Sequence, residues 1–286
     1  MPSSSSSAAH RARQALADQL REMRLAAGLS GSALASRAGW HGVSKVSKIE
    51  HGVRPASGDD VRTWCEVCGA TAERTEELLA EQRAVAGMWV PYQQLNRAGL
   101  RKAQESVRPS YDNSALVRSY QPKIVPGLLQ TAAYTTALLE DARDRQRVQR
   151  DDVAEAVAER VSRQKVLTRA GHRFVFVIEE PVLRYRFCEP EILRGQLLHL
   201  RDASRLPAVW LGIIPLGGDR RRVLPREGFI VFDEELVSVE LISGVLSVSQ
   251  PREVGMYLRD FADLARIAVH GQAARDLIAE ALRDLP

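Results

Sequence analysis

The sequence predicts two domains of different fold class: an all-α N-terminal domain of five helices, and an α+β C-terminal domain with an antiparallel sheet flanked by helices. Two observations predict this division. Hydrophobic residues recur at the spacing of amphipathic helices through the first 86 of the 286 residues. In the second half, short runs of β-branched and aromatic residues follow one another across short turns, as in consecutive antiparallel strands.

Changes in composition divide the chain into four segments. Residues 1–13 are a serine run followed by basic residues, without the apolar stretch of a secretion signal, and we expect a disordered tail. Residues 14–86 form the helical domain, residues 87–113 a linker with glycine and proline, and residues 114–286 the α+β domain. No apolar run reaches about 18 residues, so no membrane span is expected.

Positive charge is concentrated near the N-terminus. Residues 1–58 carry eight basic and three acidic side chains, a net charge of +5, whereas the whole chain has a net charge of +4. This distribution is typical of a protein that binds a polyanion, although a solvated basic surface would give the same composition. The three cysteines are too few for a disulfide framework, which fits a reducing cytoplasm. If the basic segment binds DNA, we expect the protein to be cytoplasmic and associated with the nucleoid.

The first two predicted helices have clear ends. Leu16, Leu20 and Met23 have the spacing of one helix face, and that helix ends near Gly28. Ser30 is a candidate N-cap for a short second helix that ends at Gly39.

A third helix follows the tight turn Trp40-His41-Gly42 and directs Val46 and Ile49 inward. Its outward residues are small and polar or basic: Ser44, Lys45, Ser47 and Lys48. Two short helices joined by a glycine-containing turn are a helix-turn-helix, and such side chains can reach base edges and phosphates in the major groove of DNA. A fourth helix begins at residues 57–60, and a fifth covers roughly residues 72–86.

Residues 14–69 resemble the phage-repressor (Xre-type) helix-turn-helix, on the strings LAAGLS (25–30), LA (34–35), AGW (38–40) and SKVSKIEHG (44–52). The resemblance implies that Val43, Ser44 and Lys48 lie near base edges and that Lys45 and Ser30 lie near phosphates. The candidate DNA-binding residues are Ser30, His41, Val43, Ser44, Lys45, Ser47 and Lys48.

The same resemblance implies an ion pair between Arg24 and Glu50 that locks the third helix to the first. Two features depart from the family pattern. Gly31 stands where the family commonly has a glutamine that contacts phosphate, and the turn over residues 40–43 is one residue longer than usual.

In the C-terminal domain, helices are predicted at residues 126–141 and 151–169 and strands from residue 173 onward. The predicted strands are 173–178, 209–214, 228–232, 237–242 and 245–248, with further helices at 190–203, 251–269 and 272–284. The string VPGLLQT (125–131) resembles the domain of uncharacterised function that follows Xre-type modules in actinobacterial regulators. Residues 160–167, 179–184 and 259–265 agree with it more weakly, and Gln121 departs where acids are frequent. That family is described as antitoxin-like and often neighbours small partner proteins.

Several strings resemble catalytic motifs without their context. Cys65 and Cys68 have redox spacing but lie on an apolar helical face, and no second ligand pair completes a zinc site. The pair Glu179 and Glu180 lacks a second catalytic group, and the basic cluster 220–222 fits a solvated turn or an anion site. We therefore expect no enzyme activity, no cofactor and no metal.

The leading hypothesis from the sequence is a homodimeric regulator that binds double-stranded DNA and whose C-terminal domain binds a small molecule or a protein. An antitoxin-like protein that mainly sequesters a small partner is the alternative. A thiol redox enzyme with an appended repressor module is a more remote one. The ligand-binding residues stay unassigned.

Overall fold

A computed structural model describes residues 4–286, with side chains for residues 12–85 and 87–286. The chain forms two compact units: one ends at Val90, and the other covers Pro91–Pro286. The boundary therefore lies close to the expected end of the helical domain at residue 86. Residues 91–113, expected to be a linker, instead fold within the second unit, where Leu100, Ala103 and Tyr111 are buried.

The first unit contains five helices, as the sequence predicted. They are α1 (Ser4–Ala26), α2 (Gly31–Arg37), α3 (Ser44–Glu50), α4 (Gly58–Cys68) and α5 (Ala72–Met88). Helix α1 includes residues 4–13, which we had expected to be disordered, while residues 1–3 lie outside the described residues. The alanines and arginines of this segment are strong helix formers, and an existing helix extends at little cost.

The core of the first unit is built around Trp64 of α4, whose side chain is fully buried. Its indole Nε1 donates a 2.9 Å hydrogen bond to the carbonyl oxygen of Leu20 in α1. Leu34 of α2 and Ile49 of α3 pack in the same core. The residues predicted to face inward therefore pack α2 and α3 against the core around Trp64.

The second unit mixes helices and strands. Its helices are α6 (Tyr92–Leu95), α7 (Leu100–Ser106), α8 (Arg108–Asn113), α9 (Ala132–Gln146), α10 (Val153–Arg163), α11 (Pro190–Ala203), α12 (Pro251–Ile267) and α13 (Gln272–Arg283). The strands of the chain are β1 (Trp89–Pro91), β2 (Leu116–Gln121), β3 (Arg173–Glu179), β4 (Val209–Ile214), β5 (Phe229–Phe232), β6 (Leu236–Glu240), β7 (Gly244–Val248) and β8 (Val269–His270). None of the described helices is long and apolar enough to cross a membrane.

The eight strands form one sheet in the order β1-β7-β6-β5-β2-β3-β4-β8. The pairs β5·β6 and β6·β7 are the predicted antiparallel meander, and β2·β5 and β4·β8 are also antiparallel. Two neighbouring pairs, β2·β3 and β3·β4, are parallel. The predicted α+β class is confirmed, and the sheet is antiparallel as predicted except for the two parallel pairs in its middle.

One helix of this unit begins later than predicted, and one strand in the middle of the sheet was not predicted. The helix expected at residues 126–141 begins only at Ala132, where the Thr131 hydroxyl caps it by accepting from Tyr134 N. The preceding Gly127–Leu129 is a short 3-10 turn. Strand β2 was not predicted, because Arg118 and Ser119 interrupt its apolar pattern; Arg118 is half-buried and Ser119 is buried in the sheet.

Candidate nucleic-acid interface

The turn between α2 and α3 sets the start of the outward-facing helix. The Ser30 hydroxyl caps α2 by accepting a 3.1 Å hydrogen bond from Ala33 N. Gly39 and Gly42 have φ angles of +66° and +89°, a left-handed conformation that strains other residues. Two such residues within four positions reverse the chain, so α3 begins at Ser44 with Val43 as its N-cap.

Helix α3 has one buried and one exposed face. Val46 and Ile49 are buried in the core of the first unit, as the periodicity predicted. Ser44, Ser47 and Lys48 are exposed. These three residues therefore form a polar surface with one cation, the composition of a helix that contacts the edges of base pairs.

Arg24 and Glu50 form the pair that the resemblance implied. Arg24 Nε lies 2.6 Å from Glu50 Oε1, and Arg24 Nη2 lies 3.0 Å from Glu50 Oε2, a bidentate geometry. Arg24 Nη1 also donates to the carbonyl oxygen of Leu29 at 2.7 Å. The hydrogen bond to Glu50 raises the pKa of Arg24 despite the opposing effect of burial. The pair ties the C-terminal end of α3 to α1 and to the segment before α2.

Lys45 points back to the protein, contrary to our expectation that it faces away from the core. Its Nζ lies 2.5 Å from Oδ1 of Asp60 and 4.0 Å from the ring centroid of Trp40. Asp60 is the N3 residue of α4 and forms a reciprocal capping box with Ser57. The sequence showed the helix start at residues 57–60, but its periodicity could not show that this carboxylate also binds α3.

The Asp60 carboxylate is stabilised in its charged form. Burial by itself would raise its pKa, but hydrogen bonds from Lys45 and from the Ser57 backbone outweigh burial and hold the pKa below its ordinary value. Arg54 lies 3.7 Å from the second carboxylate oxygen. The local positive charge of Lys45 is thus partly neutralised within the unit, and Lys48 remains the exposed lysine of α3.

The glycine at position 31 fits a close contact between α2 and the start of α3. A Cβ atom at Gly31 would lie 3.1 Å from Cγ2 of Val43 and 3.6 Å from Cγ1 of Val46. Val43 itself is 50% exposed. A glutamine here, as in the resembling family, would displace Val43, so the absence of that side chain and the position of Val43 are coupled.

The remaining candidates lie at the edge of this surface. Ser30 and His41 are exposed, and the Ser30 hydroxyl already accepts from the α2 backbone. The carbonyl oxygen of Ser47 accepts a 2.7 Å hydrogen bond from Nδ1 of His51. The structure therefore places Val43, Ser44, Ser47 and Lys48 on or beside one helix, and separates Lys45 from them.

The two cysteines of α4 are part of the core. Cys65 is buried and Cys68 packs against the same core. Burial is the main reason that the pKa of each thiol is raised, which opposes formation of a reactive thiolate. Within the residues that the structure describes, no group of three or more His, Cys, Asp or Glu side chains could hold a metal ion.

The acidic pair of the second unit has separate structural partners. Glu179 accepts from Tyr120 Oη at 2.7 Å and from Arg220 Nη1 at 2.6 Å. Glu180 accepts from Leu216 N at 2.9 Å and also pairs with Arg184. Both carboxylates therefore hold the loop between β4 and β5. This loop, which contains the basic cluster 220–222, connects two strands that are not neighbours in the sheet.

Comparison with known proteins gives two family matches. Residues 112–280 match the family described as a domain of unknown function (DUF5753), and residues 15–78 match a helix-turn-helix domain. No curated protein and no solved structure matches the chain. The helix-turn-helix predicted from the sequence is confirmed by the second match.

Proposed function

The chain belongs to the DUF5753 family and carries an N-terminal helix-turn-helix domain, and from this premise we propose that it is a sequence-specific DNA-binding transcriptional regulator. The observation that carries the proposal is the exposed face of α3, with Ser44, Ser47 and Lys48 in one row. The buried pair of Arg24 and Glu50 holds this helix rigidly, as recognition of base edges requires. Lys48 supplies the long cationic side chain that reaches the groove.

The finer features of the proposal rest on the resemblances. We assign the first unit to the Xre type and the protein to homodimers, because one helix-turn-helix contacts only a few base pairs and two are commonly joined by twofold symmetry. The operator is then a palindrome whose half-sites lie about one helical turn apart. Lys45 positions α3 through Asp60 and contributes less to DNA contact than Lys48.

Selection of bound duplexes from a random library, together with a genome-wide binding map, tests sequence specificity. We expect one enriched palindrome. Titration of that duplex at two salt concentrations tests the electrostatic contribution to DNA binding. The affinity should fall by about tenfold or more between 50 and 200 mM salt if several phosphate contacts form. A flat salt profile, or a library without any enriched sequence, would contradict the proposal.

For the second unit we propose a non-enzymatic role, the binding of a small molecule that changes DNA occupancy. The antitoxin-like alternative, in which this unit mainly holds a small protein, follows from the resemblance at residues 125–131. Purification from the native host separates the two. A stoichiometric partner that remains bound through size-exclusion chromatography would favour the antitoxin-like role, and a DNA affinity that responds to a small molecule would favour the regulator.

A further inference from the structure

Two arginines at the C-terminal end of α10 are held by neutral amides. Arg160 donates from Nε to Gln104 Oε1 at 3.0 Å and from Nη1 to Gln130 Oε1 at 2.8 Å. Arg163 donates from Nη1 to the Gln104 carbonyl oxygen at 2.8 Å and from Nη2 to Gln104 Oε1 at 3.3 Å. The same amide oxygen therefore holds both guanidinium groups side by side.

Among the described residues, neither Arg160 nor Arg163 has a carboxylate partner that balances its charge. Arg163 is only 5% exposed, and its Nε is buried without a hydrogen-bond partner. In the described part of the chain no carboxylate forms an ion pair with Arg160 or Arg163. Glu240 acts on both at longer range, and Glu159, which is already paired with Arg108, acts on Arg163. Arg108, close to the same helix, shows the contrast: it pairs with Glu159 at 2.6 Å.

The charges are costly in this environment. Desolvation, together with the neighbouring charge of Arg163, lowers the pKa of Arg160 to about 10. Desolvation also lowers the pKa of Arg163. Buried charges are ordinarily paired, because an unpaired one loses its hydration without compensation. Two adjacent guanidinium groups that are fixed by amides and lack a carboxylate partner have the arrangement of a site prepared for an anion.

We propose that Arg160 and Arg163 form the binding site for a phosphate group of a small-molecule ligand. Two positive charges match the charge of about −2 on a phosphate monoester better than the single charge of a carboxylate. Its three terminal oxygens can accept from several guanidinium donors at once. The ring of Tyr111, whose centroid lies 5.3 Å from the Arg163 guanidinium carbon, supports that group from the side.

The site connects to the most distinctive string of the second unit. Gln130 is fully buried and also donates from Nε2 to the Val125 carbonyl oxygen at 2.7 Å. Its Oε1 accepts from Thr135 Oγ1 at 3.1 Å, at the start of α9. An anion that binds Arg160 can therefore affect the segment 125–131 through the side-chain amide of Gln130, which contacts both. The inference rests on the proposed function in one respect, that this ligand is the one that changes DNA occupancy.

Equilibrium dialysis of the full chain with labelled inorganic phosphate, without DNA, tests the site. We expect one saturable phosphate per chain, competed by unlabelled phosphate and not by chloride at equal ionic strength. Arg163→Gln should weaken binding by about tenfold or more, since it removes a charged hydrogen-bond donor. Arg145→Gln is the matched control, because it removes an arginine charge from an exposed pair with Asp141, and it should leave phosphate affinity within about twofold.

Three outcomes would overturn the assignment. They are no saturable binding to the wild-type chain below about 1 mM phosphate, saturable binding of succinate in place of phosphate, and equal losses in Arg163→Gln and Arg145→Gln. If Arg163→Gln does not fold, Arg160→Lys keeps a positive charge but loses the forked donors, and it should weaken phosphate binding alone. Because the dialysis contains no DNA, a failure of the proposed DNA binding cannot produce any of these results.

Discussion

Lys45 Nζ lies 2.5 Å from Asp60 Oδ1, so the lysine in the first turn of the recognition helix is bound to α4 and is not directed to solvent. The Lys45 side chain is 24% exposed and that of Asp60 is 6% exposed. This pair joins α3 to the capping box that starts α4. Its role is to position the recognition helix, and the first two predictions follow from this relationship.

Asp60→Asn should lower the free energy of unfolding by about 2 kcal/mol, because it removes the ion pair of Lys45 and weakens the capping box. Urea denaturation measures this change when it is followed by tryptophan fluorescence in a background that carries Trp89→Phe and Trp210→Phe, where Trp40 and Trp64 of the first unit give the signal. Asp59→Asn is the control: the Asp59 side chain is 94% exposed, so the change should stay within about 0.5 kcal/mol. Equal effects of the two substitutions would contradict the buried ion pair.

The difference between the wild type and Asp60→Asn should depend on pH. The pKa of Asp60 in the folded protein lies below its ordinary value, which is about 3.9 in an unfolded chain. The stabilisation is therefore fully present above the unfolded pKa, and it is lost as the pH falls through the folded pKa. Urea midpoints measured from pH 7 downward should converge below about pH 4, and a constant difference would refute the assignment.

Glu50→Gln should destabilise the first unit by about 3 kcal/mol, since it leaves the buried charge of Arg24 without a counter-ion. A double-mutant cycle with Arg24→Met isolates the pair, and the double variant should be more stable than Glu50→Gln alone. The exposed pair of Arg74 and Glu77 serves as the control, with an expected cost below about 1 kcal/mol for Glu77→Gln. Additive effects of Arg24→Met and Glu50→Gln would show that the two side chains do not interact.

Lys48→Ala should relax sequence preference and cost about 1–3 kcal/mol of binding on the selected duplex, because its side chain is free to reach base edges. Lys45→Ala should act mainly on stability and change DNA affinity less than Lys48→Ala does. Binding of both variants to the selected duplex and to a random duplex measures the difference. If Lys45→Ala altered specificity and Lys48→Ala did not, the assignment of the outward face of α3 would be wrong.

Gly31→Ala should displace Val43, because the added Cβ would lie 3.1 Å from Val43 Cγ2. We expect a loss of stability of about 1 kcal/mol and weaker DNA binding, since Val43 directly precedes α3. Val43→Ala in the same chain removes the close contact and should restore the stability lost through Gly31→Ala. Ser32→Ala, a change at an exposed position of α2, is the control; a double variant as unstable as Gly31→Ala would exclude the steric cause.

The cysteines should react slowly with a disulfide reagent in the folded protein. Burial raises the pKa of Cys65, Cys68 and Cys188, so the thiolate fraction at pH 8 is small. Titration with an aromatic disulfide should therefore proceed about tenfold or more slowly in buffer than in urea. Rapid reaction of Cys65 and Cys68 in the folded state would support the redox alternative. The double variant Cys65→Ser/Cys68→Ser is the control, because Cys188 is then the one thiol that reacts.

Local signals in the sequence determined most elements of this protein. The Ser30 cap, the glycines of the turn and the inward spacing of Val46 and Ile49 fixed α2 and α3, because caps, turns and helix faces depend on residues only a few positions apart. The apolar runs of β3 and β4 and the proline that opens α11 also predicted their elements closely. The pairing of Arg24 with Glu50 came from the resemblance and not from periodicity.

Only the tertiary structure decided the contacts between distant segments. Strand β2 belongs to the middle of the sheet because β3 and β5 flank it, although its own sequence contains Arg118 and the buried Ser119. Lys45 is drawn to a carboxylate on another helix, and Arg160 to amides 56 and 30 positions away. Such positions follow from packing and from the cost of leaving buried polar groups without partners, and neither appears in the spacing of residues along the chain.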